Sequence, residues 1–223
     1  MNVLPYSMFI VGRERTSTGV IMYALYLYFL GLSFRNTSKA IRPFEVEVRS
    51  HVAIWKWVQR FNPRRLYCCK RVSAFLIDET TLQIGSSEAW LWVAVEPIHK
   101  QILGVYISRH RNMIVAEAFL SSLIRMYGKH IVYSDGGTWY PEACVSLNLK
   151  HRLHSSYEKN IVVERTIEYL KDRTEAFDDY YPCTKTGLCN LQHVYKWVIL
   201  IVFMHNSVIK SNAKFINLRG EMS

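Results

Sequence analysis

Three acidic residues stand in different settings along the chain. Asp78 follows the apolar run 74–77, and Asp135 follows the run 131–134 and precedes two glycines. Glu164 lies in a later stretch with helical spacing. Carboxylate oxygens are the ligands that Mg²⁺ and Mn²⁺ prefer, and two such ions can activate a nucleophile and stabilise a leaving oxygen in phosphoryl transfer. Acids at two strand ends and on a helix therefore indicate a metal site that would cut or join nucleic acid.

Each of these acids also has an ordinary structural explanation. Asp78 alone is typical of the end of a strand, and Asp135 with its two glycines is typical of a turn. Glu164 is one charge on a helix rich in charges. Their joint placement favours the metal site. Spacing leaves the third acid open, because Glu164 and Glu168 fall on one helical face.

The elements that would position the acids form a mixed pattern beyond residue 72. Short hydrophobic runs separated by turns predict three antiparallel strands, at 73–78, 88–95 and 101–107. Helices and strands then alternate: helix 112–127, strand 130–134, helix 140–147, strand 150–153 and a long helix from Glu158. This order predicts an α/β fold, with a ribonuclease H-like mixed sheet flanked by helices.

The front of the chain predicts a small all-α segment ahead of that sheet. Apolar spacing, polar caps and helix breakers predict helices at 22–30, 35–41 and 51–61. The last two resemble a helix-turn-helix, whose final helix would enter the major groove of DNA. Candidate DNA contacts are the outward-facing or linker residues His51, Lys56, Arg60, Arg64 and Arg65. The alternative is a helical cap packed on the following domain, with solvated charges.

Composition and charge divide the chain and restrict its partners. The predicted parts are a helical DNA-binding segment 1–62, a basic linker 63–72, a catalytic domain 73–210 and a tail 211–223. Pro63 should end the preceding helix. A net charge of +10 over 223 residues favours a polyanionic partner such as DNA.

The cysteines and apolar runs predict where the protein resides. Five cysteines without disulfide spacing indicate reduced thiols and a cytoplasmic protein. The apolar run 20–32 is shorter than the ~18 residues expected of a membrane span, so no membrane association is predicted. The first residues lack a basic leader, and we expect no signal peptide.

Short stretches around the three acids carry a further pattern. They are Asp78-Glu79-Thr80 with residues 90–96, residues 134–140, and residues 159–164 with Lys171 seven positions after Glu164. Together with residues 31–61, these stretches resemble the DDE transposases of insertion sequences, particularly the elements related to insertion sequence six. The resemblance covers roughly residues 20–206, and through Lys171 it selects Glu164 over Glu168.

The resemblance implies a metal-dependent recombinase that binds element ends, exposes 3′-hydroxyls and joins them to target DNA. Asp78, Asp135 and Glu164 would be the catalytic, metal-binding triad for Mg²⁺ or Mn²⁺, and Lys171 would contact DNA beside it. The implied partners are terminal inverted repeats, target DNA and at least one further copy of the chain, on the nucleoid. Asp135 and Glu164 are 29 positions apart, a shorter interval than is usual in the family. The alternatives are a nuclease of the same fold, and a DNA-binding remnant without the chemistry.

Overall fold

A helical segment precedes one five-stranded sheet, which further helices flank. The computed structural model describes residues 16–44, 49–63, 66–67, 71–84, 87–154, 164–175 and 191–220. Its elements are α1 (Thr18–Phe29), α2 (Phe34–Ile41), α3 (His51–Arg60), β1 (Ala74–Ile84), β2 (Ser87–Glu96), β3 (Gln101–Ser108), α4 (Met113–Tyr127), β4 (Ile131–Ser134), α5 (Trp139–Ser146), β5 (His151–Leu153), α6 (Glu164–Glu175) and α7 (Leu191–Gly220). In the described residues, no helix is both long and apolar enough to cross a membrane.

The sheet has the order β3-β2-β1-β4-β5. β1 pairs antiparallel with β2, and β2 pairs antiparallel with β3. β4 lies parallel to β1 on its other side, and β5 continues parallel to β4. This is the ribonuclease H-like order, so the predicted fold class is confirmed.

β1 is longer than the sequence predicted, and this corrects the position of Asp78. Asp78 does not end the strand, because β1 continues to Ile84. The parallel ladder with β4 ends at the pair Leu76–Tyr133, whereas the antiparallel ladder with β2 runs to the pair Ile84–Ser87. The second, more polar half of β1 is therefore held in the strand by its hydrogen bonds to β2. The hydrophobic pattern of the sequence does not reveal this half of the strand.

The helical segment packs on the sheet through α7. One buried core contains side chains from α1, α2, α3, α7 and one face of the sheet. The rings of Phe61 and Phe203 meet edge to face, with centroids 5.3 Å apart. Residues 42–50 connect α2 to α3, a longer connection than the three or four residues of a typical helix-turn-helix. The packed-cap alternative thus describes this contact, and the helix-turn-helix stays a prediction.

Candidate active site

Asp78 lies on β1, and Asp135 directly follows the last residue of the neighbouring strand β4. Leu76 pairs with Tyr133 at the end of the parallel ladder between β1 and β4, and each aspartate comes two residues later. Side chains two residues apart share a face, and neighbouring strands lie about 4.8 Å apart. This register therefore brings the two acid-bearing segments next to each other at the end of the parallel ladder. Asp78 is half-buried and Asp135 is exposed.

A tight turn fixes the carboxylate of Asp135. Its Oδ1 accepts a hydrogen bond from the backbone N–H of Gly137 at 3.1 Å. Gly136 has φ +92°, a conformation that glycine adopts without the steric cost other residues incur. A Cβ at Gly137 would lie 2.7 Å from ring atoms of Trp139. The two glycines therefore form a turn, as their composition suggested. The turn holds Asp135 at the carboxyl end of β4.

Glu164 begins α6 on the same side of the sheet. Ile167 and Leu170 of this helix are buried in the core that also contains Leu76. Glu164 is half-buried, whereas Glu168 is exposed. The two glutamates are thus distinguished by the exposure of their side chains.

The structure brings together the segments that carry Asp78 and Asp135, but the described residues do not gather all three predicted acids. Within the described ranges, no group of three or more His, Cys, Asp or Glu side chains is close enough to hold a metal ion. Asp78 and Asp135 nevertheless fit Mg²⁺ in their chemistry. Mg²⁺ is commonly bound by one or two carboxylates, with waters and substrate phosphates completing its octahedron.

Sequence reasoning missed a third carboxylate behind the aspartates. Glu79 points to the opposite face of the sheet from Asp78, and its side chain is fully buried. Its Oε1 accepts hydrogen bonds from Nη2 of Arg111 at 2.5 Å and from Nε at 2.7 Å. Its Oε2 accepts a hydrogen bond from the hydroxyl of Tyr140. The available signal was the alternation of β1, which puts Glu79 on the buried face of Phe75 and Ile77 and so requires a cationic partner.

Two tryptophans hold the arginine of this network. The guanidinium carbon of Arg111 lies 4.6 Å from the ring centroid of Trp90 and 4.1 Å from that of Trp139. Both distances are within the range of cation–π attraction. The tryptophans therefore restrict the arginine that neutralises Glu79.

Tyr140 is a permanent hydrogen-bond donor in this setting. Burial raises the pKa of its phenol well above the usual range, and the charges of Glu79, Asp78 and Asp135 raise it further. The phenol therefore stays protonated at neutral pH and donates to Glu79.

The predicted DNA contacts are placed only in part. His51, Lys56 and Arg60 are exposed on α3. The structure does not describe the side chains of the others, which are Arg64, Arg65 and Lys171.

Known proteins are similar to this chain over the region that contains the three acids. A family model for the DDE domain matches residues 72–181, a range that contains Asp78, Asp135 and Glu164. The uncharacterized protein MJ0017 of Methanocaldococcus jannaschii is 32% identical over 200 residues, covering 88% of this chain and 89% of that protein. The transposase for insertion sequence-like element IS431mec of Staphylococcus aureus is 28% identical over 134 residues. The chain belongs to the DDE transposases of insertion sequences.

This DDE-family chain matches its relatives over different lengths. The match to the staphylococcal transposase covers 58% of this chain and only 56% of that protein. Among solved structures, the catalytic core domain of HTLV-2 integrase in complex with magnesium has a TM-score of 0.42 and 19% identity. That match covers 59% of this chain and 87% of the integrase domain. The family recognised from the sequence motifs is confirmed.

Proposed function

We propose that this protein is a DNA transposase that cuts strands at element ends and transfers them to target DNA. The observation that supports the proposal is a DDE domain in which Asp78 and Asp135 each come two residues after the last pair of the parallel β1–β4 ladder. Their carboxylates, with Glu164, would hold Mg²⁺ or Mn²⁺. The bound metal would activate the attacking water or 3′-hydroxyl and stabilise the leaving oxygen.

Each acid has a definite part in this proposal. Asp78 is held by the hairpin and accepts a hydrogen bond from the N–H of Glu79 at 2.8 Å, which limits its motion. Asp135 is exposed on its turn, where substrate phosphate can reach it. Glu164 would complete the donor set from the first turn of α6, beside the core face shared with Leu76.

DNA binding would use surfaces outside the acid pair. The exposed His51, Lys56 and Arg60 of α3 form one candidate surface for element ends, the terminal inverted repeats. Arg64, Arg65 and Lys171 are further candidates by their sequence positions. A net charge of +10 supports a phosphate backbone as partner. Joining two ends to one target favours an assembly of at least two chains.

The test is a strand-joining reaction with purified protein, Mg²⁺, labelled candidate end DNA and a supercoiled target. Wild-type protein should give joined products. Asp78→Ala, Asp135→Ala and Glu164→Gln should each reduce cleavage and joining by more than the roughly 10–100-fold typical of residues that only support a metal ligand. Binding of end DNA should persist, since none of the three acids lies on α3.

Glu168→Gln is the matched control for Glu164→Gln, since it removes an exposed charge from the same helix. It should keep wild-type joining. Cleavage without joining by the wild-type protein would identify a nuclease instead, and end binding without either reaction would identify a remnant. Wild-type-like joining by any of the three acid variants would refute the triad.

A further inference from the structure

The parallel ladder that aligns Asp78 with Asp135 ends before it reaches them. Its final pair is Leu76–Tyr133, so the ladder of the described strands does not extend to the aspartates themselves. We propose that Glu79, Arg111 and Tyr140 are positioning residues that set the separation of the two aspartates from the opposite face of the sheet. This inference rests on the proposed function, because it assigns these residues to the same metal site.

Tyr140 links the two acid-bearing segments. Its backbone N–H donates to the carbonyl of Gly137 at 3.1 Å, which ties it to the turn that holds Asp135. Its hydroxyl donates to Glu79, the residue next to Asp78 on β1. One buried residue thus connects both acids beyond the end of the ladder. A second tie at this edge is weaker, with Nε2 of His154 lying 3.3 Å from the carbonyl oxygen of Ile77.

Burial and charge make this link rigid. Glu79 has no exposed side-chain surface, so it needs a compensating cation, and Arg111 supplies one. Arg111 occupies Oε1 with two N–H groups, which leaves Oε2 for Tyr140. Trp90 and Trp139 stack on the guanidinium, and Trp139 also packs against Gly137 of the aspartate turn. Displacing any member would move the others.

Direct metal binding by these three residues is excluded by their placement. Glu79 faces away from Asp78, and both its oxygens already accept hydrogen bonds. The network therefore acts through the aspartates, and its loss should weaken metal binding without removing a ligand.

Titration of the full-length protein with Mn²⁺, followed by electron paramagnetic resonance without DNA, tests this role. Tyr140→Phe keeps the ring and removes the hydroxyl that reaches Glu79. It should weaken Mn²⁺ binding by about 10-fold or more, the loss typical of groups that orient metal ligands. Tyr127→Phe is the matched control. It removes a hydroxyl that donates to the carbonyl of Leu103 at 2.7 Å, at the far end of α4. It should bind Mn²⁺ as the wild type does.

Melting temperatures in EDTA distinguish positioning from a general loss of stability. Each tyrosine variant loses a side-chain hydrogen bond, and the bond from Tyr140 to the Glu79 carboxylate should lower the melting temperature more. A merely structural role predicts unchanged Mn²⁺ affinity in both variants. Should Tyr140→Phe fail to fold, Arg111→Lys decides, since the arginine side chain is one-third exposed and the change keeps the charge. Weaker Mn²⁺ binding by Arg111→Lys supports positioning, and wild-type affinity overturns it.

Asp78→Ala separates this inference from the proposed function. If Asp78→Ala binds Mn²⁺ as the wild type does, the proposed metal site itself is wrong. If Asp78→Ala loses binding while Tyr140→Phe and Tyr127→Phe both retain wild-type affinity, the metal site stands and the positioning role is refuted.

Discussion

Glu96 ends β2 with a buried carboxylate that anchors the turn to β3 and the residues before β1. Oε1 accepts from the backbone N–H of Ser73 at 3.2 Å and from its hydroxyl at 2.5 Å. Oε2 accepts a hydrogen bond from the backbone N–H of His99 at 2.6 Å. The same oxygen lies 2.9 Å from Nδ1 of the His99 ring. Burial raises the pKa of Glu96, but these hydrogen bonds to the ionised form outweigh it, and the pKa is lowered.

The lowered pKa of Glu96 makes stability depend on pH in a defined direction. The ionised carboxylate stabilises the folded state above its unfolded pKa of 4.5, and this contribution is lost as the pH falls through the lower folded pKa. Glu96→Gln should therefore reduce stability near neutral pH by about 2 kcal/mol, or ~4–8 °C in melting temperature. The gap from wild type should shrink as the pH falls below 4.5.

Thermal melts of both proteins across this pH range measure the effect. Glu88→Gln removes an exposed carboxylate from the same strand and serves as the control. A gap for Glu96→Gln that stays constant down to the lowest pH would contradict the assignment.

The sequence identifies some candidate site residues but not the partners of others. Asp78 and Asp135 could be singled out as candidates because each follows an apolar run, a local pattern. Glu79 could not be assigned a partner, since Arg111 is 32 positions away and lies in a loop. Long-range ion pairs of this kind leave no periodic signal in a single sequence.

At the scale of elements, Asn206 of α7 joins the helix to the edge strand β3. Its Oδ1 accepts from the N–H of Ile102, and its Nδ2 donates to the carbonyls of Ile102 and Leu66, each at 2.8 Å. The register between β2 and β3 shifts close to this point, between Ala94 and Val95. Asn206 thus supplies hydrogen bonds that an edge strand otherwise lacks.

Asn206→Ala should destabilise the protein by about 2–4 kcal/mol, because it leaves buried backbone groups of Ile102 unpaired. Chemical denaturation measures the loss, and hydrogen exchange of the Ile102 amide should accelerate. Ser207→Ala is the control, since its hydroxyl donates within α7 to the carbonyl of Phe203 at 2.8 Å. Equal stability of the two variants would exclude a bridging role.

Predictions of elements succeeded where the periodicity was local. The helix predicted at 112–127 forms as Met113–Tyr127, and Asn112 caps it by accepting from the N–H of Val115. The strand predicted at 73–78 was too short, because cross-strand pairing with β2 determines its second half. The front of the helix predicted from Glu158 lies outside the described residues, and α6 is described from Glu164.

Over the whole molecule, the helical segment and the sheet share one core, so they should unfold together. Phe203→Ala removes the α7 ring that meets Phe61 and should cost about 3–5 kcal/mol. Tryptophan fluorescence and far-ultraviolet circular dichroism should still report one coincident transition. Val208→Ala, at an exposed position of α7, should have little effect.

Two separate transitions would contradict the shared core and would favour two independent domains. The predicted domain boundary at residues 63–72 rests on charge and proline content, and this boundary stays a prediction. Sequence composition cannot report that α7 returns to pack on both the first helices and the sheet, since this contact joins residues far apart in the chain.

The extra length of β1 has a consequence for access to the aspartates. Ile84 lies six residues beyond Asp78, so the paired strands project about 20 Å further than the neighbouring β4. They lie on one side of Asp78, and β4 and β5 lie on the other. An extended polymer that reached both aspartates would therefore meet the paired strands β1 and β2 on one side, and β5, with the exposed Arg152, on the other.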